Sequence, residues 1–333
     1  MAKIAVMGAG SWGTTFAKIL ADAGNHVVLW ARREDVVEEI NTQHRNGDYL
    51  PGIRLPKSLV ATDNAAEAMA GAEQVYLAVP SQTLRNNLEK WGAQIPENAI
   101  VVSLMKGVEK DSGLRMSEVI ADAGNVDHSR IVVVSGPNLS LEIAQEQPTA
   151  SVAASTSPES AKAVASAASN HYFTTFTNKD VIGTEFGGIL KNLIAVAIGI
   201  VNGVGYGENT KASIMTRGLA EISRFARSYG AKKKTMVGLA GLGDLIATSE
   251  SPLSRNHKAG EMLGKGYTLR EVTKRLSQTA EGLASVAPIL KLAEEKGVRM
   301  PIVEQVLAVM EGRMEPKDIA PSLTHETDEP ASE

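Results

Sequence analysis

A lysine set in hydrocarbon is the first feature of this sequence with chemical consequences. Lys191 sits among Ile189, Leu190, Leu193, Ile194, Ala197 and Ile198, in a helical pattern running from Thr184 to Ile200. An amine that loses its water favours the neutral form. A neutral amine can take a proton from an alcohol, and its ammonium form can return one to an alkoxide. A lysine whose stem packs while its head reaches water fits the same pattern, so the residues alone leave both readings open. Asn192 is adjacent, and Glu185 lies nearly two turns earlier on the same helix.

Three other clusters carry polar groups that a plain fold does not need. Gly241-Leu242-Gly243-Asp244 is followed by Ser254-Arg255-Asn256. Asp244 is placed to orient Lys191 or hold a substrate hydroxyl, or is simply a turn residue after glycine. Ser254 is suited to cap a helix starting near Asn256, where Arg255 and free amides form an anion site. Met105-Lys106-Gly107 follows an apolar strand pattern, and Ser135-Gly136-Pro137-Asn138 follows another. Ligands of open α/β sheets sit beyond the carboxyl ends of strands, so Lys106 can reach a phosphate. Asn138 reads either as a contact in that crevice or as the cap of the next helix.

Near the N-terminus, Gly8-Ala9-Gly10-Ser11-Trp12-Gly13 follows one strand pattern and opens a helix. That context makes a GxGxxG a dinucleotide-binding signal. Gly8 permits the tight turn, Gly10 lets the backbone approach a pyrophosphate, and Gly13 lets helix and strand pack closely. The second strand pattern ends in Trp30-Ala31-Arg32-Arg33, with no acid at its tip for a ribose 2′-hydroxyl. Two guanidiniums suit a 2′-phosphate, so NADP(H) is expected as the preferred cofactor, with NAD(H) tolerated. Glu34 and Asp35 read as first-turn helix residues.

These groups need a frame. Apolar runs suited to buried strands are Ile4 to Met7, Val27 to Trp30, Gln74 to Val79, Ile100 to Leu104 and Ile131 to Ser135, with helical patterns between them. Two further candidates, Ala150 to Ala154 and Tyr172 to Thr177, flank an Ala-rich helix. The alternation predicts an α/β, doubly wound (Rossmann) sheet domain over residues 1–180. From Asp180 on, helical patterns follow one another at Thr184–Ile200, Lys211–Tyr229, Glu281–Glu295 and Ile302–Glu311, which predicts an all-helical substrate domain over 181–314. Residues 315–333 are rich in Pro, Ser, Thr and acids and are expected to be disordered. The chemistry then belongs in a cleft between the two domains.

Composition sets the outer bounds. The 333 residues are 43% hydrophobic and 22% charged, with a net charge of -4 and no cysteine. Disulfides, thiolate nucleophiles and Cys-ligated zinc are therefore excluded. Six acids and one lysine fall in the last 19 residues, leaving a nearly neutral body. That balance excludes a bulk nucleic-acid binder but allows a local anion site. No leader precedes the first strand, so a cytoplasmic protein is expected. The uncharged run Asn192–Gly207 is shorter than a spanning helix needs and holds four glycines. It reads as a buried core helix followed by a Gly-rich loop, with no membrane span.

Taken in order, these clusters resemble the bacterial-type NAD(P)-dependent glycerol-3-phosphate dehydrogenases, from the Gly8 loop to about Gly282. The most specific pieces are Gly207-Glu208-Asn209-Thr210-Lys211-Ala212, Thr216-Arg217-Gly218-Leu219, Gly241-Leu242-Gly243-Asp244-Leu245 and Ser254-Arg255-Asn256. The resemblance implies hydride exchange between NAD(P)(H) and a small three-carbon phosphate, dihydroxyacetone phosphate or sn-glycerol 3-phosphate, feeding glycerophospholipid synthesis, with no metal. It implies that Ser11, Trp12, Arg32, Arg33 and Lys106 bind the cofactor, with Tyr49, Ser140, Arg255, Thr279 and Glu281 as further cofactor contacts. Lys191 matches the proton acceptor. Lys106, Gly136, Asn138, Asp244, Ser254, Arg255 and Asn256 match the substrate site. Leu139, Ser140 and Thr279 depart from the commoner residues without removing a charged or donor group. A hydroxy-acid dehydrogenase of the same plan would not need the Ser254-Arg255-Asn256 cluster, and a redox-sensing NADP(H) binder would not need Lys191. A homodimer is expected.

Overall fold

Strand β1 (Lys3–Met7) shows why the first half forms a covered sheet. In the computed structural model, Ile4 and Val6 pack into one apolar cluster while Ala5 and Met7 pack into another. Alternate residues face opposite sides of a strand, so a continuous apolar run requires helices on both faces. The structure describes residues 1–276 and 280–320.

The first unit, residues 1–185, alternates strands and helices: β1, α1 (Ser11–Asp22), β2 (His26–Trp30), α2 (Glu34–Gln43), β3 (Val60–Thr62), α3 (Ala65–Met69), β4 (Gln74–Leu77), α4 (Leu84–Trp91), β5 (Ile100–Ser103), α5 (Met116–Gly124), β6 (Ile131–Ser135), α6 (Ser140–Ala144), β7 (Thr149–Ala154), α7 (Pro158–Ala168) and β8 (Phe173–Asn178). Strand order is β3-β2-β1-β4-β5-β6-β7-β8. The first six follow the order of a doubly wound dinucleotide fold, and β7 and β8 extend it as their sequences led us to expect. Among the described strands of this sheet, only β6 and β7 pair antiparallel. The direction of crossover reverses at β1 and β4, which pair in parallel. Ligands collect at such a switch point. The three-residue β3 escaped the sequence reading because so short a run shows no periodicity.

The second unit, from residue 186 on, is helical among its described residues: the greater part of α8 (Val181–Val204), then α9 (Glu208–Ser228), α10 (Lys233–Met236), α11 (Asp244–Glu250), α12 (Arg255–Gly264), α13 (Leu269–Arg275), α14 (Glu281–Glu295) and α15 (Pro301–Met310). Helix α8 is long and apolar enough to cross a membrane, but 83% of its apolar window is buried within the protein. It is the core helix that its glycines and asparagines foretold. It ends at a loop in which Gly205 takes φ +94°.

One expectation fails at the C-terminus. Disorder is expected over residues 315–333, yet Pro316–Asp318 form a 3-10 turn. Ile319 is fully buried, and the Tyr206 hydroxyl donates to the Lys317 carbonyl at 2.9 Å. Composition described the segment correctly but missed that one isoleucine could anchor it. Residues 321–333 lie outside the described residues.

Candidate active site

In the first unit the glycine loop is built as its spacing requires. Gly8 has φ +126°, and a Cβ there would lie 2.7 Å from the Ala78 carbonyl. A Cβ on Gly13 would lie 1.9 Å from the Gly8 carbonyl, so only glycine lets α1 start this close to β1. At Gly10 a Cβ would meet nothing within 4 Å. That open face lies at the N-cap of α1, where no side chain caps the helix. The first-turn amides are therefore left for an anion. These features fit a dinucleotide pyrophosphate.

A brace that the sequence did not reveal holds this loop. Asn46 is fully buried and donates to the Ala9 carbonyl at 3.0 Å and to Thr14 Oγ1 at 2.8 Å. Ser11 Oγ donates to the Tyr49 carbonyl at 2.9 Å. An asparagine shortly after a helix reads as turn punctuation, so no signal marked Asn46. Arg32 and Arg33 follow β2 and are exposed. Arg33 is engaged by Asp48, at 2.8 Å, and by Asp35. Glu34 and Asp35 occupy the first turn of α2 as expected.

Lys106, just beyond β5, donates to the Gly136 carbonyl at 3.2 Å, joining two of the predicted clusters at the carboxyl edge of the sheet. Thr15 Oγ1 donates to the Ser140 carbonyl at 3.2 Å, tying α1 to the start of α6. Asn138 does not cap α6. The cap position is Leu139, without a side-chain bond, and Asn138 Nδ2 instead donates to Ser151 Oγ at 3.2 Å. Its Oδ1 is buried with no partner among the described residues. A buried acceptor left unpaired costs about 1–3 kcal/mol, a cost that a donor from a ligand or a water would relieve.

In the second unit Lys191 is 6% exposed, with Nζ 3.0 Å from Asp244 Oδ1. It also donates to Thr248 Oγ1, which lies 3.3 Å from Asp244 Oδ1. Asp244 is 1% exposed. The amine therefore faces a carboxylate and a hydroxyl, not the hydrocarbon that its helix neighbours suggested. Glu185 takes no part: it is buried in the first unit, bound by the Arg115 guanidinium and by Ser117 N and Oγ at 2.9 and 2.6 Å. Burial raises its pKa, and these partners oppose the rise.

Glycines explain how Asp244 reaches Lys191. Residues Leu239–Gly243 form a π-helical turn leading directly into α11; such turns recur at functional sites. A Cβ on Gly241 would lie 2.0 Å from the Met236 carbonyl, and one on Gly187 would lie 2.3 Å from the Ala240 carbonyl. Gly187 is one helical turn before Lys191 on the same face of α8. The wide turn thus rests on the α8 backbone and delivers Asp244 beside the amine.

The second pair of elements meets the same way. A Cβ on Gly260 would lie 2.1 Å from the Val196 carbonyl, and one on Gly264 2.2 Å from that of Ile200. In return, Cβ atoms on Gly199 and Gly203 would lie 2.2 Å from the carbonyls of His257 and Glu261. Helices α8 and α12 therefore run in parallel register through paired glycines four residues apart. The register continues to Asn256 Nδ2, which donates to Asn192 Oδ1 at 2.8 Å, while Asn256 Oδ1 accepts from Gly282 N at 3.0 Å. The first turn of α12 is thereby fixed next to Lys191. Ser254 caps it as the sequence indicated, accepting from His257 N at 3.2 Å. Arg255 is exposed and Glu281 half-buried at the start of α14; Thr279 lies outside the described residues.

Comparisons with known proteins show the family to which the chain belongs. Residues 3–161 match the family described as NAD-dependent glycerol-3-phosphate dehydrogenase N-terminus, and residues 180–321 match the corresponding C-terminus. The chain is 64% identical over 328 residues to a glycerol-3-phosphate dehydrogenase [NAD(P)+] of Leifsonia xyli, covering 98% of this chain and 89% of that one. It is 53% identical to one of Corynebacterium glutamicum, covering 97% and 98%. A crystal structure of glycerol-3-phosphate dehydrogenase from Coxiella burnetii superposes with a TM-score of 0.91 at 33% identity, covering 97% of this chain and 98% of that chain. This chain belongs to the NAD-dependent glycerol-3-phosphate dehydrogenase family.

Proposed function

We propose that this enzyme reduces dihydroxyacetone phosphate to sn-glycerol 3-phosphate, and catalyses the reverse, with Lys191 as the proton carrier. The observation that carries this reading is the buried Lys191–Asp244–Thr248 constellation beside the capped start of α12. The first unit holds the dinucleotide through Gly8, Gly10, Ser11, Trp12 and Gly13, with Tyr49 and Ser140 nearby. When bound, the nicotinamide supplies the hydride to C2 of the ketone. As C2 is reduced, the Lys191 ammonium gives one proton to the C2 oxygen and is later reprotonated from solvent. In the reverse direction the amine takes the hydroxyl proton. Asp244 fixes the amine and balances its charge, and Thr248 holds it from a second side, so that little reorganisation is needed as charge develops.

The amides of α12, Ser254 and the Arg255 guanidinium clasp the substrate phosphate. Asn256 keeps that turn in place through Asn192. Lys106, Gly136 and the unpaired Asn138 Oδ1 supply further contacts, and Arg255, Glu281 and Thr279 complete the cofactor contacts. Arg32 and Arg33 favour NADPH over NADH, because a guanidinium fork matches a 2′-phosphate. We place the enzyme in the cytoplasm, as a homodimer, supplying glycerol 3-phosphate for glycerophospholipids. The test is NADPH oxidation with dihydroxyacetone phosphate against unphosphorylated dihydroxyacetone. Preference for the phosphorylated ketone by at least about a thousandfold in kcat/KM follows from a charged clasp worth several kcal/mol. Equal turnover of the two would remove the clasp and the substrate assignment with it.

A further inference from the structure

Arg33 does not wait empty for a phosphate. Its Nη1 donates to Asp48 Oδ2 at 2.8 Å, its Nε donates to Asp35 Oδ1 at 3.0 Å, and its Nη2 is bound by Asp35 as well. Both edges of the guanidinium fork are taken by carboxylates. Asp35 belongs to the first turn of α2, where an acid also serves the helix dipole. Asp48 has no such local duty and comes from a different segment. Ordinary exposed pairs of this kind are loosely held. Here the residues on either side of Asp48 are anchored: Asn46 to Ala9 and Thr14, Tyr49 to Ser11, and Gly47 N to the Glu39 carboxylate at 3.2 Å. The loop that braces the glycine turn therefore also presents Asp48 to Arg33.

We propose that Asp48 is a specificity-determining residue that restrains the preference for NADPH by competing with the 2′-phosphate for Arg33. The inference rests on the reading that Arg32 and Arg33 recognise that phosphate. A 2′-phosphate approaching Arg33 must displace a carboxylate and then remain close to it, dianion beside anion. A ribose 2′-hydroxyl meets no such conflict, since a carboxylate accepts its hydrogen bond. An enzyme with Asp48 thus keeps use of both cofactors, where two unopposed arginines would commit it to one.

The test compares kcat/KM for NADPH and NADH in the wild type, Asp48→Asn and Arg33→Gln. Asparagine keeps the shape and removes the charge. For D48N the NADPH/NADH ratio rises about three- to tenfold, through a lower KM for NADPH, as expected for one exposed carboxylate within about 7 Å of a dianion in screened solvent. The rise shrinks as salt is added. An unchanged or lower ratio in D48N overturns the proposal. R33Q separates this from the reading beneath it. If R33Q leaves the KM for NADPH unchanged, recognition of the 2′-phosphate by Arg33 is itself wrong. If R33Q raises that KM while D48N does nothing, the arginine reading stands and the role of Asp48 falls.

Discussion

Lys191 Nζ and Asp244 Oδ1 lie 3.0 Å apart, in side chains that are 8% and 2% exposed. The two residues are brought together across more than fifty positions of sequence by a wide helical turn seated on a glycine. A buried ion pair is weak evidence for stability, because desolvating two charges offsets much of their attraction. Proton transfer by Lys191, as proposed, gives the pair a use other than stability.

Thr248→Val keeps the shape of the side chain and removes the hydroxyl bound to Lys191. The amine then has a freer orientation but keeps its carboxylate. We expect kcat to fall about tenfold with little change in the KM for either substrate, and stability to fall by about 1–3 kcal/mol, since the hydroxyl bonds both Lys191 and Asp244. Steady-state kinetics alongside urea unfolding separate the two effects. A large loss of stability with unaltered kcat would make Thr248 purely structural.

Gly260→Ala places a Cβ where the Val196 carbonyl lies 2.1 Å away. Helix α12 must then lift from α8, at a cost of about 1–3 kcal/mol for overpacking, and carry Ser254, Arg255 and Asn256 with it. The KM for dihydroxyacetone phosphate should rise at least tenfold, while NADPH affinity, measured by fluorescence titration, falls by less, since Arg255 is the one displaced residue among its proposed contacts. An unshifted KM would mean that the paired glycines hold the fold but not the clasp.

Glu221 gives the protein a pH dependence of its own. It lies on α9, 2% exposed, and accepts from the Ile302 and Val303 amides at 2.9 and 3.1 Å at the start of α15. Burial nevertheless pushes its carboxyl up to about 7, from an ordinary value of 4.5. Between those values the folded state retains a proton that the unfolded chain has released. Stability contributed by this group is therefore full below pH 4.5, falls as pH rises through the window and levels off above about 7. In Glu221→Gln this component disappears. The difference in unfolding free energy between pH 5 and pH 8 should be smaller in the variant than in the wild type, by up to about 3 kcal/mol. Denaturant unfolding at both values decides it, and equal pH dependence in the two proteins would clear Glu221.

Much of this was legible in the residues. Continuous apolar runs marked the strands because a sheet covered on both faces leaves no polar side. Gly8, Gly10 and Gly13 marked the cofactor turn because each position tolerates nothing larger or needs open backbone. Ser254 was readable as a cap because serine at a helix start has one common use. What escaped depends on contacts between distant segments. Thr248 shares a helix face with Asp244, but its bond to Lys191 exists only once α11 meets α8. Asn46 looks like a turn residue until the loop folds back on Ala9. Gly199, Gly203, Gly260 and Gly264 lower helix propensity individually, and their purpose appears only as two facing pairs. The reading of Asn138 as a cap failed because its partner, Ser151, comes from another strand.

The proton-transfer role of Lys191 is the claim on which the rest depends. The direct test is turnover of dihydroxyacetone phosphate with NADPH by Lys191→Ala, with cofactor binding titrated on the same preparation. Removing the amine also leaves Asp244 buried without its ammonium partner, a cost of about 3–5 kcal/mol, so Lys191→Ala/Asp244→Asn is measured beside it as a folded control. The account predicts normal NADPH binding and kcat lower by about a hundred- to ten-thousandfold in both variants. Near wild-type turnover in either folded variant would contradict it.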